Sequence, residues 1–157
     1  MLLKSSLYRR SLLLCAVWSS ALTLNAVTVR AASKSLTLTT PATPAIESLA
    51  RQLNAEAIKD ARRHNDDPII LVTMADLGRS KRQQALFTQL QSARLCGAIG
   101  CATSIFLSEK GHWTEVYNDV TGDITILPTA HHGLYDLGLS KGRKRIWNGT
   151  DYIDPLD

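Results

Sequence analysis

The turn Asn65-Asp66-Asp67-Pro68 divides the sequence into two parts of different periodicity. Before it, apolar residues recur at spacings of three and four; after it, short runs rich in β-branched residues alternate with turn residues. Asparagine and aspartate favour turns, and proline cannot continue a helix. This order predicts an α+β fold, in which one N-terminal helix packs on a mainly antiparallel β-sheet built as a meander.

The segment from Pro44 to His64 carries the helical signals. Thr43 is suited to cap a helix, and a proline such as Pro44 is favoured at the first helical position. The apolar positions that fall on one helical face are Ile46, Leu49, Ala50, Leu53, Ala57 and Ala61. We therefore predict one continuous helix over 44–64.

The second part of the chain predicts a series of short strands. The runs are 69–74, 84–91, 101–107, 113–117, 124–127 and 134–139, followed by two very short strands around Asn148-Gly149. Residues 128–133 are predicted as a loop. The run 83–92 also fits a helical period, and only its position among strands favours the strand.

The first residues have the character of an export signal. Lys4, Arg9 and Arg10 precede an apolar run over 11–24, and small residues stand at the positions that a signal peptidase reads before 32. We predict a cleaved signal over 1–31, a flexible lead-in over 32–43 that is rich in Ser, Thr, Ala and Pro, and a single domain over 44–157. The mature protein is then periplasmic or secreted.

Charge argues against a nucleic-acid partner. The chain has 18 basic and 14 acidic side chains, and four of the basic ones, Lys4, Arg9, Arg10 and Arg30, lie in the predicted signal, which leaves 18 − 4 = 14 against 14. A balanced mature chain has no net field to attract phosphates. The apolar run in the signal is shorter than the roughly 20 residues that a membrane span needs, so we expect no span in the mature chain.

The two cysteines of the predicted mature chain, Cys96 and Cys101, predict a disulfide. Exported chains meet oxidants, and the glycines in C-G-A-I-G-C suit a tight reversal between strands. Four intervening residues are too many for the C-x-x-C redox spacing, and no second cysteine pair completes a zinc site. The stretch is therefore predicted to be a hairpin tip closed by a disulfide.

Several short motifs follow each other in the strand half. They are Asp76-Leu77, the Cys96 to Cys101 stretch, Pro128-Thr129 with Gly133 and Asp136-Leu137, and Trp147-Asn148-Gly149 with Tyr152. In this order they resemble a loose group of small, mostly uncharacterised exported bacterial proteins with a C-G-x-x-G-C hairpin and a D-L and W-x-G-x-x-Y tail. The resemblance covers about half of the chain and implies an extracytoplasmic β-rich fold.

Candidate chemistry is sparse. A metal site could use His112, His131 or His132, and Asp136, since imidazole and carboxylate suit zinc. No H-E-x-x-H spacing and no G-x-S-x-G elbow is present, and the carboxylates of the strand half fall in turns or on polar faces. We expect neither a cofactor nor a metal, and no group of residues predicts a nucleophile with its base.

The hypothesis from the sequence is a non-catalytic binding protein that acts on another envelope protein, as an inhibitor or an accessory factor. The bridged tip and a histidine-containing loop are expected to project from one region and make the contact. The candidate binding residues are Gly97, Ala98, Ile99, Gly100, His131, His132 and Tyr135. Two alternatives stay open: a small metal-dependent hydrolase using the histidines and Asp136, and a structural envelope protein.

Overall fold

The computed structural model describes residues 32–156, so the predicted export signal over 1–31 lies outside the described residues. Antiparallel strands dominate, in agreement with the predicted α+β class. In chain order the elements are β1 (Lys34–Leu36), α1 (Pro44–Leu53), α2 (Ala55–Arg63), β2 (Ile69–Asp76), β3 (Gln84–Gln91), β4 (Cys96–Gly97), β5 (Gly100–Glu109), β6 (His112–Thr121), β7 (Ile124–His131), β8 (Leu134–Leu139), β9 (Lys144–Trp147) and β10 (Tyr152–Ile153).

The helical segment is broken at Asn54, so the prediction of one continuous helix is wrong. Thr43 caps α1 as expected, accepting a hydrogen bond from the Ile46 amide at 3.3 Å. Asn54 is almost fully buried, and its side-chain amide donates to the Ala50 carbonyl at 2.8 Å and to Thr88 Oγ1 at 3.1 Å. This anchor to β3 ties the joint between α1 and α2 to the sheet.

The strands form two sheets rather than one. The helix-side sheet contains β2, β3, β5 and β6 in spatial order, with the short β4 folded onto the start of β5. The outer sheet has the order β1, β7, β8, β9, β10, and every pairing in both sheets is antiparallel. Residues 83–92 are a strand and not a helix, since β3 pairs with both β2 and β5.

Two hydrophobic cores hold three layers together. The central core lies between the sheets, where Phe87 and Ile105 of one sheet meet Ile124 and Leu137 of the other, all fully buried. A second core lies between the helices and the other face of the helix-side sheet. Its buried members are Ala50, Ile58, Ile70, Val72, Leu86 and Leu90. Burying such aliphatic and aromatic side chains stabilises a fold by about 1.5–3 kcal/mol each.

Two segments that were predicted to be irregular are part of the sheets. Residues 34–36, placed in the flexible lead-in, form β1 and pair with β7, and Thr39 then pairs with Val72 of β2. Residues 128–131, predicted as loop, belong to β7, which continues through a bulge between Ile126 and Ala130. The lead-in therefore joins the edges of the two sheets on one side of the molecule.

The opposite side of the molecule is not joined in this way. There the edge strands β6 and β10 approach to within 8 Å between Cα atoms, yet among residues 32–156 β6 pairs only with β5 and β10 only with β9. We call this unpaired side the seam. Within the described chain, no helix has the length and apolar character needed to cross a bilayer.

Candidate functional site

A pocket of about 500 Å³ opens between the two sheets at one end of the seam. We call it the inter-sheet cleft. Its floor is apolar and is made by Leu107, Val116, Leu134 and Trp147, each at most 8% exposed. Its rim is polar and exposed, and it includes Lys81, Glu109, Thr114, His132 and Thr150.

Tight hairpin turns fix two walls of the cleft. Lys110-Gly111 joins β5 to β6, and His132-Gly133 joins β7 to β8. All four residues have positive φ, between 45° and 89°, which is the backbone signature of a type I′ two-residue turn. Such turns hold their flanking strands in one register, so the backbone positions of Glu109 and His132 are fixed.

The loop after β2 forms a third wall. Asp76 Oδ1 accepts hydrogen bonds from the Gly78 amide at 2.9 Å and the Gln83 amide at 2.8 Å, and these bonds lower the pKa of Asp76. Gln83 Nε2 donates to the Ser108 carbonyl at 2.8 Å, which ties the loop to β5. A side chain at Gly78 would place its Cβ 1.6 Å from the Lys81 carbonyl oxygen, so the loop closes only around a glycine.

An aromatic pair supports the floor. The rings of Trp147 and Tyr152 lie 5.3 Å apart between centroids, at a tilt of 53°. The Tyr152 hydroxyl donates to the Tyr135 carbonyl at 2.7 Å, and burial raises the pKa of Tyr152 above its usual range. The floor is therefore pre-formed, which is the usual state of a binding pocket.

A second candidate site is a buried carboxylate on the outer sheet. Asp136 has no exposed surface, and three side chains contact its oxygens: Thr129 Oγ1, His131 Nδ1 at 2.6 Å and Lys144 Nζ at 2.9 Å. We call Thr129, His131, Asp136 and Lys144 the polar cluster. Burial acts to raise the pKa of Asp136, but the bonds from Thr129, His131 and Lys144 outweigh it and lower the pKa.

The bulge in β7 assembles the polar cluster. Ile126 pairs with Leu137, and Ala130 pairs with Tyr135. Between these two pairs β7 has three residues, whereas β8 has one. The extra residues carry Thr129 toward Asp136, and bulges of this kind re-aim side chains at functional sites. His131 remains 45% exposed while its Nδ1 is held by Asp136. Its Nε2 is thus positioned to serve as an acid, a base or a hydrogen-bond partner.

The predicted binding residues do not form one surface. Gly100 packs against the Thr121-Gly122 backbone, and the Gly122 amide donates to Ser140 Oγ at 3.1 Å, just beyond the C-terminal end of β8. The turn at Gly133 precedes the other end of β8, where the Gly133 carbonyl accepts from the Arg79 amide. A strand of six residues spans about 20 Å. The bridged tip and the histidine loop therefore lie near opposite ends of β8.

The remaining predicted residues divide among four environments: the bridged tip, the rim of the cleft, the polar cluster and the central core. Gly97 and Ala98 are exposed at the tip, and Ile99 is half-buried there. His132 lies on the rim of the cleft, and His131 belongs to the polar cluster. The predicted disulfide between Cys96 and Cys101 is present, and it joins residues that face each other across β4 and β5. Tyr135 is partly buried against the central core.

The ligand set of the metal alternative is not assembled. Within residues 32–156, no group of three or more His, Cys, Asp or Glu side chains is placed to hold a metal ion. Asp136 contacts His131 alone among the three histidines, and its other oxygen is occupied by Thr129 and Lys144. The carboxylate thus orients an imidazole and a lysine rather than a metal.

Sequence reasoning missed most of the cleft and half of the polar cluster. Lys144 and Thr129 reach Asp136 only because strand pairing brings β9 and the bulge beside it. The Asn148-Gly149 turn was visible as a hairpin signal, and it places Gly149 and Thr150 at the cleft. The pairing of β7 with β8 was the missing information, since it would have indicated that His131 and Asp136 are neighbours.

Comparisons with known proteins leave the family open, and the resemblance to exported proteins with a C-G-x-x-G-C hairpin stays a prediction. The inter-sheet cleft and the polar cluster are therefore the features of this chain that indicate a function. No family model, no curated protein and no solved structure matches the chain.

Proposed function

We propose that this chain is an exported, non-catalytic binding protein, periplasmic or secreted, that acts on another envelope protein as an inhibitor or an accessory factor. The inter-sheet cleft carries this proposal. A concave pocket of about 500 Å³ with an apolar floor and a polar rim is the usual form of a recognition site. The occupant is an apolar side chain presented by an exposed segment of the partner.

The composition of the cleft supports a protein partner. Trp147 and Val116 offer apolar surface at the bottom, while Thr114 and Thr150 offer hydroxyl groups at the mouth. Interfaces between proteins commonly combine a desolvated apolar anchor with a polar rim that excludes water around it. An apolar anchor of leucine or phenylalanine size suits this floor, and main-chain groups of the partner can bond to the rim.

The disulfide supports an extracytoplasmic location. The Cys96 to Cys101 bridge is formed between directly opposed strand residues, and such bridges persist in oxidising compartments. The predicted signal over 1–31 supports the same location. In that setting the candidate partners are other proteins of the envelope.

The proposal is tested by blocking the cleft. Thr114 is exposed on the cleft side of β6, so Thr114→Trp fills the mouth without removing a core contact. Thr37 is also exposed but lies in the segment that joins the sheets on the opposite side, so Thr37→Trp is the matched control. The measurement is crosslinking capture from envelope extract, followed by titration of the purified partner against both variants.

The expected result is that one polypeptide is captured by the wild type and by Thr37→Trp, and that Thr114→Trp weakens its binding by about tenfold or more. Thr150→Trp blocks the same mouth from the other wall and must reproduce the loss. Thermal unfolding of each variant confirms that the fold is retained. Equal binding by all three variants contradicts the cleft as the binding site, and capture of no partner by the wild type favours a structural envelope protein.

A second candidate function, hydrolysis with His131 as general base, rests on the 2.6 Å contact between His131 Nδ1 and Asp136 Oδ1. A carboxylate that fixes one ring nitrogen leaves the other free to take a proton from water. The test is turnover of ester, amide and glycoside substrates by the wild type, with and without added zinc. Turnover that disappears in His131→Gln and survives in His132→Gln would support hydrolysis over binding.

A further inference from the structure

Among the described residues, the outer edge of β6 carries unpaired backbone groups along most of its length. Within the described residues, no backbone group between Trp113 and Asn118 bonds to a side chain or to any strand except β5. The end of the same edge is capped, because the Val120 amide donates to Asp119 Oδ1 at 2.7 Å and the Val120 carbonyl accepts from Arg143 at 2.8 Å. Unpaired strand edges of this kind accept an extended segment by main-chain hydrogen bonds.

Two pockets lie along this edge. The inter-sheet cleft borders β6 at Thr114 and Val116. A second pocket of about 430 Å³ borders β6 from Glu115 to Asp119 and is closed on its other side by residues 151–154. Val116 belongs to both pockets, so an extended segment that lies beside β6 passes from one to the other. Side chains four positions apart on such a segment point the same way and are about 13 Å apart.

The second pocket carries an excess of negative charge. Its carboxylates are Glu115, Asp119, Asp151 and Asp154, and its one basic residue is Arg145. Arg143 contacts Asp119 at 2.9 Å, and Arg145 contacts Asp154 at 3.0 Å. Two guanidinium groups thus balance two carboxylates. Within residues 32–156, neither Glu115 nor Asp151 has an ion-pair partner, which leaves two negative charges at the pocket.

We propose that the partner of this chain presents an extended, basic segment along β6, with an apolar side chain in the inter-sheet cleft and a lysine or arginine in the pocket beside Glu115 and Asp151. This inference rests on the proposed binding function and adds the chemistry of the bound segment. The main chain of the segment forms hydrogen bonds with the edge of β6, and the apolar side chain adds affinity because it is buried in the inter-sheet cleft. The basic side chain selects the partner by charge complementarity.

The test uses a fluorescein-labelled nonapeptide of serine and threonine that contains one leucine and one lysine four positions apart. Fluorescence anisotropy measures its binding to the full chain in about 0.02 M and about 0.5 M salt. The comparison peptides replace the lysine by glutamate, replace the leucine by serine, or place a proline between the two side chains to remove a main-chain donor.

The expected result is that the lysine peptide binds about tenfold more tightly than the glutamate peptide at low salt, and that high salt reduces this ratio. The double variant Glu115→Gln with Asp151→Asn is expected to lower the ratio to about twofold. Glu56→Gln with Asp60→Asn removes two exposed charges from α2 and must leave the ratio unchanged.

The two proposals fail in different ways. Equal binding of the lysine and glutamate peptides, or no binding of the lysine peptide at about 1 mM, contradicts the proposal that the bound segment is basic. If Thr114→Trp still abolishes capture of the partner in that case, the cleft function stands and only the inferred segment is wrong. If the proline peptide binds as well as its parent, the pairing with β6 is overturned.

Discussion

Asp136 Oδ1 lies 2.6 Å from His131 Nδ1, across the hairpin that joins β7 to β8. The carboxylate is fully buried, and Thr129, His131 and Lys144 contact its oxygens. This one residue therefore connects three strands, β7, β8 and β9, through charge-assisted bonds. Such bonds are stronger than neutral ones, and the polar cluster is a fixed point of the outer sheet.

Replacing Asp136 by asparagine is expected to lower the free energy of unfolding by about 2–4 kcal/mol at neutral pH, because Lys144 and His131 lose their buried anion. Equilibrium urea unfolding by circular dichroism gives the value. Asp123→Asn, which removes an exposed carboxylate, is the control and should change stability by less than about 0.5 kcal/mol.

The pH dependence of the Asp136 contribution follows from the lowered pKa. The carboxyl pKa is lower in the folded chain than the value of about 3.9 in an unfolded chain. Its stabilisation is therefore fully present above about pH 5 and is lost as the pH falls through the folded pKa. The difference in the free energy of unfolding between wild type and Asp136→Asn should therefore become smaller in acid. A difference that stays constant from about pH 7 to about pH 3 would show that the ionised carboxylate of Asp136 is not its source.

The two glycines of the bridged tip are predicted to differ in their tolerance of a side chain. Gly100 has a φ of 133°, and a Cβ there would lie 2.0 Å from the Thr121 carbonyl carbon. At Gly97 a Cβ meets nothing within 4 Å, and its φ is not in the positive range. Gly100→Ala should therefore cost about 2–4 kcal/mol of stability, and Gly97→Ala less than about 1 kcal/mol. Chemical denaturation of both variants checks the difference, and equal losses would show that the tip rearranges freely.

The contact between Asn54 and Thr88 should appear as a coupling energy. Asn54 Nδ2 lies 3.1 Å from Thr88 Oγ1, and both residues are buried between α1, α2 and β3. Asn54→Ala leaves the Thr88 hydroxyl with a weaker set of partners and is expected to cost about 1–3 kcal/mol. In a double-mutant cycle with Thr88→Val, a coupling of about 0.5–2 kcal/mol is expected, whereas simple additivity would contradict the contact.

The local signals of the sequence predicted most of the elements. Thr43 and Pro44 marked the start of the helix, and the runs 69–74 and 113–117 identified the cores of β2 and β6. These features depend on residues close in sequence, whose conformational preferences act without the rest of the fold.

Features that depend on tertiary pairing were missed. Asn54 lies within a helical pattern, and only its bond to Thr88, 34 positions away, shows why the helix breaks there. Residues such as Ser35, which were predicted to be a flexible lead-in, have no strand pattern of their own and are ordered by the edge of β7. The cleft is formed by turns from four separate segments, and no periodicity in the sequence indicates that these segments lie together.

The disulfide and the cleft are predicted to be independent. The bridge closes a loop with a sequence separation of 5, so the loss of closure entropy in Cys96→Ser with Cys101→Ser amounts to about 2 kcal/mol of stability. The tip adjoins Gly122 and Ser140, whereas the cleft opens beyond the other end of β8 at Gly133, about 20 Å away. Loss of the bridge should not change the structure of the cleft floor, because the central core holds it in place.

The double serine variant should therefore unfold at lower urea concentration yet bind the captured partner with unchanged affinity at temperatures where it is folded. A loss of affinity that exceeds the unfolded fraction would instead place the bridged tip in the binding surface.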